Sequence, residues 1–445
     1  MIDLTVIGSG PGGLEAALQA AKTGLQVALV TATPPGGRAT VGSLLPSKVW
    51  LTEAETFHNA RKHAPEIEPQ IGLITGRVND HMKQRSGGVA SLLQSLGVTI
   101  YLGSARVTGP NSVTVTPSEE GSPQTTIESR QIILATGSEP RFFPDVKPDG
   151  ERIIAPRHTR LLTEIPKSIT FVGGGVTATE YASVFAKLGS RVTIVTDVER
   201  LLPRTDPELV ASLTGYLETL GIEVLTNSPV ESVTARENGV VTQTKNGRVL
   251  ETDYAFIATG RRPDPESFEE SGLDLETDDG GWLVTDAQQR TSVPSVFAVG
   301  DITGAPLIAN KAIRQARVAV AAIQGDTEGD LISAGLNIEA IYTHPEVAQV
   351  GPVLELKKQE GDGVSVFRRQ YGDALLPLIR GSEEGYLKLW YDSSADELLG
   401  GAAFGEHAVE IMAPVQMAIE RGMTLRELVR SPFAHPSLSE MLSIA

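Results

Sequence analysis

Two short glycine-rich motifs have the residue types and spacing needed to bind the phosphates of a dinucleotide. Both follow the pattern Gly-x-Gly-x-x-Gly/Ala, and their members are Gly8, Gly10 and Gly13 in one motif and Gly173, Gly175 and Ala178 in the other. Small residues let backbone N–H groups approach a pyrophosphate, and a helix N-terminus adds its partial positive charge. One such motif is often only a tight turn, but two in register predict two dinucleotide-binding sites.

The elements around the two motifs repeat as well. Residues 4–31 and residues 169–196 align without a gap, and each segment has an apolar run, a glycine turn, a helix-periodic stretch and a second β-branched run. Each segment is therefore predicted to be a βαβ unit with its motif between strand and helix. This context favours an α/β fold with two Rossmann-like dinucleotide-binding domains.

The residues that end the two units depart from the usual Rossmann pattern. An Asp or Glu there normally holds the ribose hydroxyls of the adenosine, but this chain has Thr31 and Thr196. A neutral hydrogen bond from a hydroxyl contributes about 1 kcal/mol, against about 1.5–3 kcal/mol for a charged one. Asp197 follows the second threonine and slightly favours NADH, whereas Arg200 and Arg204 favour NADPH. The choice between the two stays open.

The composition limits the classes of function. The chain of 445 residues has 40% hydrophobic residues and a net charge of −17, so it is long enough for two or three domains and disfavours nucleic acid and anionic membranes as partners. We expect no membrane span, no signal peptide, because a strand begins at residue 4, and a cytoplasmic location. Having 0 cysteines, the chain has no disulfide or cysteine nucleophile, and we predict no metal ligands.

Eight motifs occur in the order found in one enzyme family. They are IGSGPGG (7–13), GG…PSK (36–48), ATGSEP (135–140), GGG (173–175), ATGRRPD (258–264), FAVGD (297–301), THPEVAQVG (343–351) and HPSLSE (435–440). Over nearly its whole length the chain resembles the pyridine nucleotide-disulfide oxidoreductases, whose members include dihydrolipoamide dehydrogenase, glutathione reductase and mercuric reductase.

The resemblance implies an architecture. An FAD-binding domain, residues 1–148 and 263–328, is interrupted by an NAD(P)H-binding domain at residues 149–262. A C-terminal α+β dimerisation domain follows at residues 335–445, through which two subunits form a homodimer. The segment 384–405 reads independently as strands, and the segment 407–422 reads as a helix, which suits an interface domain.

The resemblance also implies cofactor-binding positions. FAD would be bound by Gly8, Gly10, Gly13, Thr136, Gly137 and Asp301. NADH or NADPH would be bound by Gly173, Gly175, Ala178, Asp197, Gly260 and Arg261. The cofactor-binding set is completed by Pro11, Thr31, Gly37, Arg38, Lys48, Ala135, Thr196, Gly300 and Ala309. Asp301 follows a predicted strand, where its carboxylate is placed to accept hydrogen bonds from a ribityl hydroxyl.

The stretch GGRATVGSLLPSK, residues 36–48, has the frame of the family's dithiol loop, GGxCxxxxCxPSK, without its thiols. Alignment without gaps puts Ala39 and Leu44 at the two cysteine positions. Neither side chain has redox chemistry, and the hydroxyl of Ser43, one residue away, is not oxidised as a thiolate is. Dithiol–disulfide exchange through this loop is therefore excluded.

Four further residues match catalytic positions of the family. Lys48 stands where the family has a lysine against the flavin, and Glu180 stands where it has that lysine's ion-pair partner. The resemblance implies that this pair supports hydride transfer. His435 and Glu440 match the family's acid–base pair, which reaches across the dimer. Without thiols, this pair either protonates a reduced acceptor or is a structural remnant.

We therefore expect an FAD-dependent NAD(P)H oxidoreductase of the diaphorase type. It would pass electrons from the flavin directly to a diffusible small molecule, such as a quinone or a dye. Leu44 supports this expectation, since an apolar wall in place of a thiolate suits a flat, apolar acceptor. The alternatives are a catalytically quiet flavin-binding dimer that acts as a sensor or assembly module, an oxidase that uses oxygen, and a partner that supplies thiols in trans.

Overall fold

The computed structural model of the chain describes residues 1–326 and 336–443. Contacts divide these residues into two compact units. Unit 1 comprises Met1–Pro46, Leu73–Arg141 and the described part of Gly260–Ala334. Unit 2 comprises Ser47–Gly72, Phe142–Thr259 and the described part of Gly335–Ala445. The domain boundaries that the sequence analysis set at 328, 335 and 445 lie outside the described residues.

The strands of the described residues, in chain order, are β1 (Ile2–Ile7), β2 (Val27–Thr31), β3 (Thr99–Gly109), β4 (Ser112–Pro117), β5 (Thr125–Leu134), β6 (Ser138–Pro140), β7 (Ile153–Ile154), β8 (Ser168–Val172), β9 (Arg191–Val195), β10 (Glu223–Leu225), β11 (Val230–Arg236), β12 (Gly239–Thr244), β13 (Val249–Thr252), β14 (Tyr254–Ile257), β15 (Arg261–Pro263), β16 (Val296–Ala298), β17 (Glu339–Ile341), β18 (Glu346–Val350), β19 (Val364–Gln370), β20 (Tyr386–Asp392) and β21 (Leu398–Gly405).

The α-helices of the same residues are α1 (Pro11–Lys22), α2 (Gly37–Val41), α3 (Leu44–Arg61), α4 (Ile71–Ser95), α5 (Val176–Lys187), α6 (Pro207–Thr219), α7 (Ala309–Ile323), α8 (Val353–Lys358), α9 (Leu375–Arg380), α10 (Ala408–Glu420) and α11 (Leu425–Val429). Short 3-10 helices lie at Pro156–Leu161, Gly300–Thr303, Tyr371–Asp373 and Leu438–Leu442. Across the described residues, no helix combines the length and the apolar character that a membrane crossing needs.

Unit 1 is built on a parallel sheet in the order β3-β2-β1-β5-β16. Val6 lies opposite Leu29 on one side and Ile133 on the other. All five residues of β2 are buried, as expected for a parallel sheet that is covered on both faces. One apolar cluster joins this sheet to α1 and α7, and a second cluster, which includes Val113 of β4, lies elsewhere on the sheet. β4 pairs antiparallel with β3 and β5.

Unit 2 contains a second parallel sheet, in the order β10-β9-β8-β14-β7. Its β8–α5–β9 segment matches β1–α1–β2 of unit 1, and both helices have 12 residues. An antiparallel sheet, β11-β12-β13, also belongs to this unit. The predicted repeat of two βαβ units is therefore confirmed.

The C-terminal part of unit 2 is an antiparallel sheet in the order β17-β18-β21-β20-β19, with α10 packed against β18 and β21. β21 contains small residues, and a methyl group at Gly401 would lie 2.9 Å from Val415 of α10. The missing side chain lets the helix approach the sheet closely. The predicted strands and helix of this region are confirmed, and together with the two Rossmann-like segments they confirm the predicted fold class.

A buried charge links this sheet to α6 within unit 2. Lys388 of β20 is fully buried, and its Nζ donates to the Asp206 carboxylate at 2.7 Å. The other carboxylate oxygen of Asp206 caps α6 by accepting from the N–H groups of Glu208 and Leu209 at 2.7 and 3.2 Å. Gln349 of β18 accepts from the N–H of Asp206 at 3.0 Å. Both buried charges are thus paired and hydrogen-bonded, which offsets their desolvation.

Candidate active site

The first glycine motif forms a turn without room for side chains. Gly8 has a φ of +102°, and a methyl group there would lie 2.3 Å from the carbonyl oxygen of Ala135. A methyl group at Gly13 would lie 1.9 Å from the carbonyl oxygen of Gly8. Only glycine therefore fits these two positions. α1 begins directly after Gly10, with Pro11 as its first residue, where the missing N–H of proline costs nothing.

An open cradle of backbone lies beside this turn. A methyl group at Gly10 or Gly137 would meet no heavy atom within 4 Å. Gly37 packs against the same turn, since a methyl group on it would lie 2.6 Å from Gly10 Cα. Within the described residues, no side chain caps the N-terminus of α1. Free helix N–H groups beside open space suit a pyrophosphate, so these residues fit the FAD that the sequence implies.

The second motif has the same geometry. Gly173 has a φ of +122°, and a methyl group there would lie 2.3 Å from the carbonyl oxygen of Ala258. Gly175 precedes α5 and has open space around it. Ala178 is fully buried at the third position of the motif. Gly260, two residues after Ala258, has a φ of +96° and open space. Each motif therefore packs on an Ala-Thr-Gly segment, a relationship that the sequence analysis did not identify.

The two threonines that replace the ribose-binding acids are both buried. The Thr31 hydroxyl donates to the Thr33 carbonyl at 2.8 Å and lies 2.7 Å from the Ser9 hydroxyl. The Thr196 hydroxyl has no hydrogen-bond partner among the described residues. It lies beside the second motif, because a methyl group at Gly174 would be 2.7 Å from Thr196 Oγ1. Thr196 thus keeps an unused hydrogen-bonding group next to the predicted phosphate site.

The charged residues after Thr196 are not equally free to meet a cofactor. Asp197 and Arg204 are exposed. The guanidinium of Arg200 donates to the carbonyl oxygens of Pro203 and Thr205 at 2.7 and 3.0 Å. Arg200 is therefore bound within its own loop, and its charge is less available to a 2′-phosphate than the sequence suggests.

Asp301 belongs to a polar cluster in unit 1. Its carboxylate accepts from the Ser138 hydroxyl at 2.6 Å. The Ser138 hydroxyl in turn accepts from Nε of Arg261 at 2.7 Å, and Arg261 Nε lies 3.8 Å from the Asp301 carboxylate. The Thr136 hydroxyl donates to the Asp264 carbonyl at 3.0 Å. Arg261 was predicted to bind the nicotinamide dinucleotide, but its guanidinium lies beside Asp301, which was predicted to bind FAD.

The stretch that matches the dithiol loop is largely helical. Ala39 lies within α2, and Leu44 is the first residue of α3. Pro46 is tolerated in the first turn of α3, where an N–H would have no helical partner. The Leu44 side chain is 45% exposed. The two positions that hold sulfur in the family are thus occupied by aliphatic side chains on two successive helices.

Lys48 and Glu180 lie together, as the resemblance implied. The Lys48 ammonium donates to both carboxylate oxygens of Glu180, each at 2.8 Å. The side chain of Glu180 is only 5% exposed, against 31% for Lys48. Lys48 is on α3 and Glu180 is on α5, and Trp50 stacks on Phe185 between the same helices with ring centroids 5.9 Å apart. Rigid elements therefore hold this ion pair.

A second ion pair repeats the first with reversed charges. Glu55 lies seven residues after Lys48, and Lys187 lies seven residues after Glu180. The ammonium of Lys187 donates to the Glu55 carboxylate. Burial alone would raise the pKa of Glu55, but the adjacent Lys187 brings that pKa below its usual value. A spacing of seven residues returns to the same helix face. The equal spacing on α3 and α5 was a sequence signal for this pair that the analysis missed.

His435 and Glu440 also form a pair. His435 Nδ1 lies 2.6 Å from Glu440 Oε1, and the other carboxylate oxygen accepts from the Ser437 N–H at 2.8 Å. The hydrogen bond to His435, followed by that from Ser437, holds the pKa of Glu440 below its usual value. The imidazole is 65% exposed, so it is open to exchange protons with a small molecule or with solvent.

The remaining predicted residues lie at helix termini or in turns. Ala309 is the first residue of α7, and no side chain of the described residues caps that helix. The Gly300 N–H donates to Gln315 at 2.8 Å, and Arg38 is partly buried in α2. Two site residues were not predicted: Ser138, which lies within a recognised motif, and Tyr342, which directly precedes one.

A further acidic cluster lies at the N-terminus of α10. The ligand atoms of Glu346, His407 and Glu410 lie within 4.8 Å of one another. Glu346 accepts from the Val409 N–H at 3.1 Å, and the other two side chains are exposed. Because Glu346 already serves a free N–H of this helix, we assign it a capping role.

Family profiles match both parts of the chain. The profile described as pyridine nucleotide-disulphide oxidoreductase matches residues 2–322, and that of the family's dimerisation domain matches residues 338–445. The dihydrolipoyl dehydrogenase of Chlorobaculum tepidum is 36% identical over 453 residues, which cover 98% of this chain and 95% of the relative. The enzyme of the same name from Geobacillus stearothermophilus is 31% identical over 98% of this chain and 93% of the relative.

A solved structure is similar over the same extent. The crystal structure of LpdA from Mycobacterium tuberculosis matches with a TM-score of 0.93 and 26% identity, and the match covers 99% of this chain and 98% of that one. The likeness in sequence and in fold therefore includes both dinucleotide motifs and the C-terminal sheet.

Proposed function

The chain belongs to the pyridine nucleotide-disulphide oxidoreductase family, whose members use FAD and NAD(P)H. We propose that it passes electrons from NADH or NADPH, through FAD, to a diffusible acceptor such as a quinone or a dye. One observation carries this proposal. The sequence has 0 cysteines, while Lys48 and Glu180, which we propose to support hydride transfer, form an ion pair at 2.8 Å. On this proposal, electrons still enter through the flavin, but they have no thiol through which to leave.

The residues that replace the thiols bear on the acceptor. Ala39 and the exposed Leu44 offer apolar surface at the positions where the family has sulfur. Apolar surface favours flat, apolar molecules over charged ones because desolvating a charge is costly. A quinone or dye meets this requirement better than a charged disulfide does.

Each predicted catalytic residue has a role in this proposal. When bound, FAD supplies a two-electron carrier between the nicotinamide and the acceptor. Lys48, held in place by Glu180, positions a positive charge that favours hydride transfer. His435, oriented by Glu440 at 2.6 Å, donates the protons that a reduced quinone requires. We further propose a cytoplasmic homodimer that pairs through the dimerisation domain.

The second cofactor is proposed to be NADH rather than NADPH. Arg200 is engaged by the Pro203 and Thr205 carbonyls, and the exposed Asp197 carries a negative charge that opposes a 2′-phosphate. Arg204 remains exposed, so we expect a modest preference rather than exclusion of NADPH.

A quiet flavin-binding dimer is the second candidate. The replacement of both ribose-binding acids by Thr31 and Thr196 favours it, because a hydroxyl binds the ribose more weakly than a carboxylate does. In that case NADH and NADPH would both reduce the flavin very slowly.

Anaerobic titration of the purified yellow protein tests the proposal. NADH should bleach the oxidised flavin bands, and a quinone or dye should then restore them. Lipoamide and glutathione disulfide should fail to restore them, since the chain has no thiol. A colourless protein without releasable FAD, or a flavin that neither nicotinamide reduces, contradicts the proposal. Rapid turnover with lipoamide contradicts the argument from the missing cysteines.

A further inference from the structure

The ammonium of Lys48 has two partners. It donates to both oxygens of Glu180 at 2.8 Å. It also lies 4.1 Å from the centroid of the Tyr342 ring. The negative face of an aromatic ring attracts a cation at such a distance. A lysine has a long stem with many rotamers, and two partners restrict it more than one does.

Tyr342 is itself fixed relative to this ion pair. Its backbone N–H donates to Oε1 of Glu180 at 2.9 Å. The carboxylate that accepts hydrogen bonds from Lys48 therefore also fixes the backbone of Tyr342. Two residues further on, the His344 carbonyl accepts from Lys187 at 3.2 Å. The segment Tyr342–His344 therefore contacts both reciprocal ion pairs of α3 and α5.

The Tyr342 side chain is suited to act as a neutral ring. Burial, together with the nearby carboxylates of Glu346 and Glu180, raises its pKa above the usual value. The phenol therefore stays protonated at neutral pH. Its interaction with Lys48 is one of a cation with an aromatic face, and the hydroxyl is not required for it.

We propose that Tyr342 is a positioning residue that holds the Lys48 ammonium in place for hydride transfer, an inference that rests on the proposed function. Without the ring, Lys48 would keep its charge and its partner Glu180 but gain freedom to swing toward solvent, since its side chain is already 31% exposed. Removing the Tyr342 ring would therefore lower the rate of hydride transfer and leave cofactor binding unchanged.

Two matched variants separate the ring from the hydroxyl. In the FAD-loaded protein, Tyr342→Leu should slow flavin bleaching at saturating NADH by roughly two- to thirtyfold, with little change in the NADH concentration at half-saturation. Tyr342→Phe keeps the ring and should restore the rate to within about twofold of the original. The control is Phe57→Leu, which removes a ring lying 5.5 Å from Arg61 on the same helix and should leave the rate unchanged.

The flavin reduction potential gives a readout that does not depend on turnover. Lys48→Met should lower this potential, because a positive charge near the flavin favours its reduced form. Tyr342→Leu should shift it in the same direction, and should add little in the Lys48→Met background. Anaerobic dithionite titration against a reference dye measures each value.

Three results would overturn the inference: an unchanged rate and potential in Tyr342→Leu, an equal loss in Tyr342→Phe, or a full additional loss on top of Lys48→Met. Its failure is distinct from failure of the proposed function. If the original protein is not reduced by either nicotinamide, the proposed function fails, while the potential titration still reports on Tyr342 and Lys48.

Discussion

Thr31 and Thr196 occupy equivalent places at the ends of two repeated βαβ units, yet their hydroxyls are used differently. The Thr31 hydroxyl bonds to Thr33 and Ser9, whereas the Thr196 hydroxyl is buried without a hydrogen-bond partner among the described residues. A buried hydroxyl without a hydrogen-bond partner lowers the stability of the folded protein. Removing a hydroxyl that has partners lowers the stability because those partners are left without a hydrogen bond. The same substitution at the two sites therefore has different consequences.

Thr31→Val should destabilise the protein by about 1–3 kcal/mol, because it removes the hydroxyl that bonds the buried Ser9 side chain and the Thr33 carbonyl. Thr196→Val should change the free energy of unfolding by less than about 0.5 kcal/mol, or stabilise the protein slightly. Urea unfolding of both variants without nicotinamide measures the difference. Equal costs at the two positions would show that Thr196 has a partner in solution.

Gly10→Ala and Gly13→Ala should separate cofactor binding from folding. A methyl group at Gly10 meets open space, so the apoprotein should keep its stability while FAD binding weakens by about tenfold or more, because the methyl group enters the phosphate cradle. A methyl group at Gly13 would lie 1.9 Å from a carbonyl oxygen and should cost about 1–3 kcal/mol of stability. Thermal unfolding with and without added FAD distinguishes the two effects. Unchanged FAD affinity in Gly10→Ala would contradict this location of the cradle.

Glu180→Gln should slow reduction of the flavin by NADH about as strongly as Lys48→Met does. We expect a loss of roughly ten- to a hundredfold for each, since a hydrogen bond to a charged group is worth about 1.5–3 kcal/mol. The double variant should lose little more than either single one, because the two groups act together. Stopped-flow bleaching of the flavin measures the rates. Lys62→Met, which removes a lysine bonded to Asn59 on the exposed side of the chain, is the matched control and should react normally.

Glu346→Gln should stabilise the protein at alkaline pH. Burial raises the pKa of Glu346 to about 6 from 4.5, against the opposing hydrogen bond from the Val409 N–H. A carboxyl whose pKa is raised in the folded state favours folding below its unfolded pKa, and this contribution is lost as the pH rises through the folded value. Above pH 7 the variant should therefore gain up to about 2 kcal/mol, and the gain should vanish near pH 4.5.

Melting temperatures measured from pH 4.5 to pH 8 would test the sign of this effect. The neighbouring Glu410→Gln serves as the control, because its carboxylate is 65% exposed and its removal should change stability by less than about 0.5 kcal/mol at any pH. A pH-independent difference for Glu346→Gln would mean that the buried carboxyl does not titrate in this range.

Much of the fold could be predicted from local patterns. The glycine spacing and the equal lengths of residues 4–31 and 169–196 predicted two βαβ units, because turn chemistry and hydrophobic period are local properties. The strands and the helix of the C-terminal sheet were predicted for the same reason. The stretch 36–48 was different, since its motif identified residues but not their conformation, and most of it is helical.

Long-range contacts account for what the sequence could not predict. The ring of Tyr342, which directly follows β17, contacts Lys48 of α3 only in the folded chain, and no spacing along the sequence indicates this. The guanidinium of Arg261 donates to the Ser138 hydroxyl because β15 pairs with β6 and brings the two residues together. A short strand pair of this kind is set by tertiary structure rather than by propensity.

The aliphatic side chains of Ala39 in α2 and Leu44 in α3 also bear on which thiol-directed inhibitors can act on the protein. Maleimides, arsenicals and soft metal ions attack thiolates, and a chain with 0 cysteines offers them no target. Among sulfur-containing side chains, peroxide and hypochlorite can oxidise only methionine, of which Met417 is 66% exposed, and methionine sulfoxide is enzymatically reversible. Conditions that trap a dithiol enzyme as a sulfinate would therefore find no thiol to oxidise in this chain.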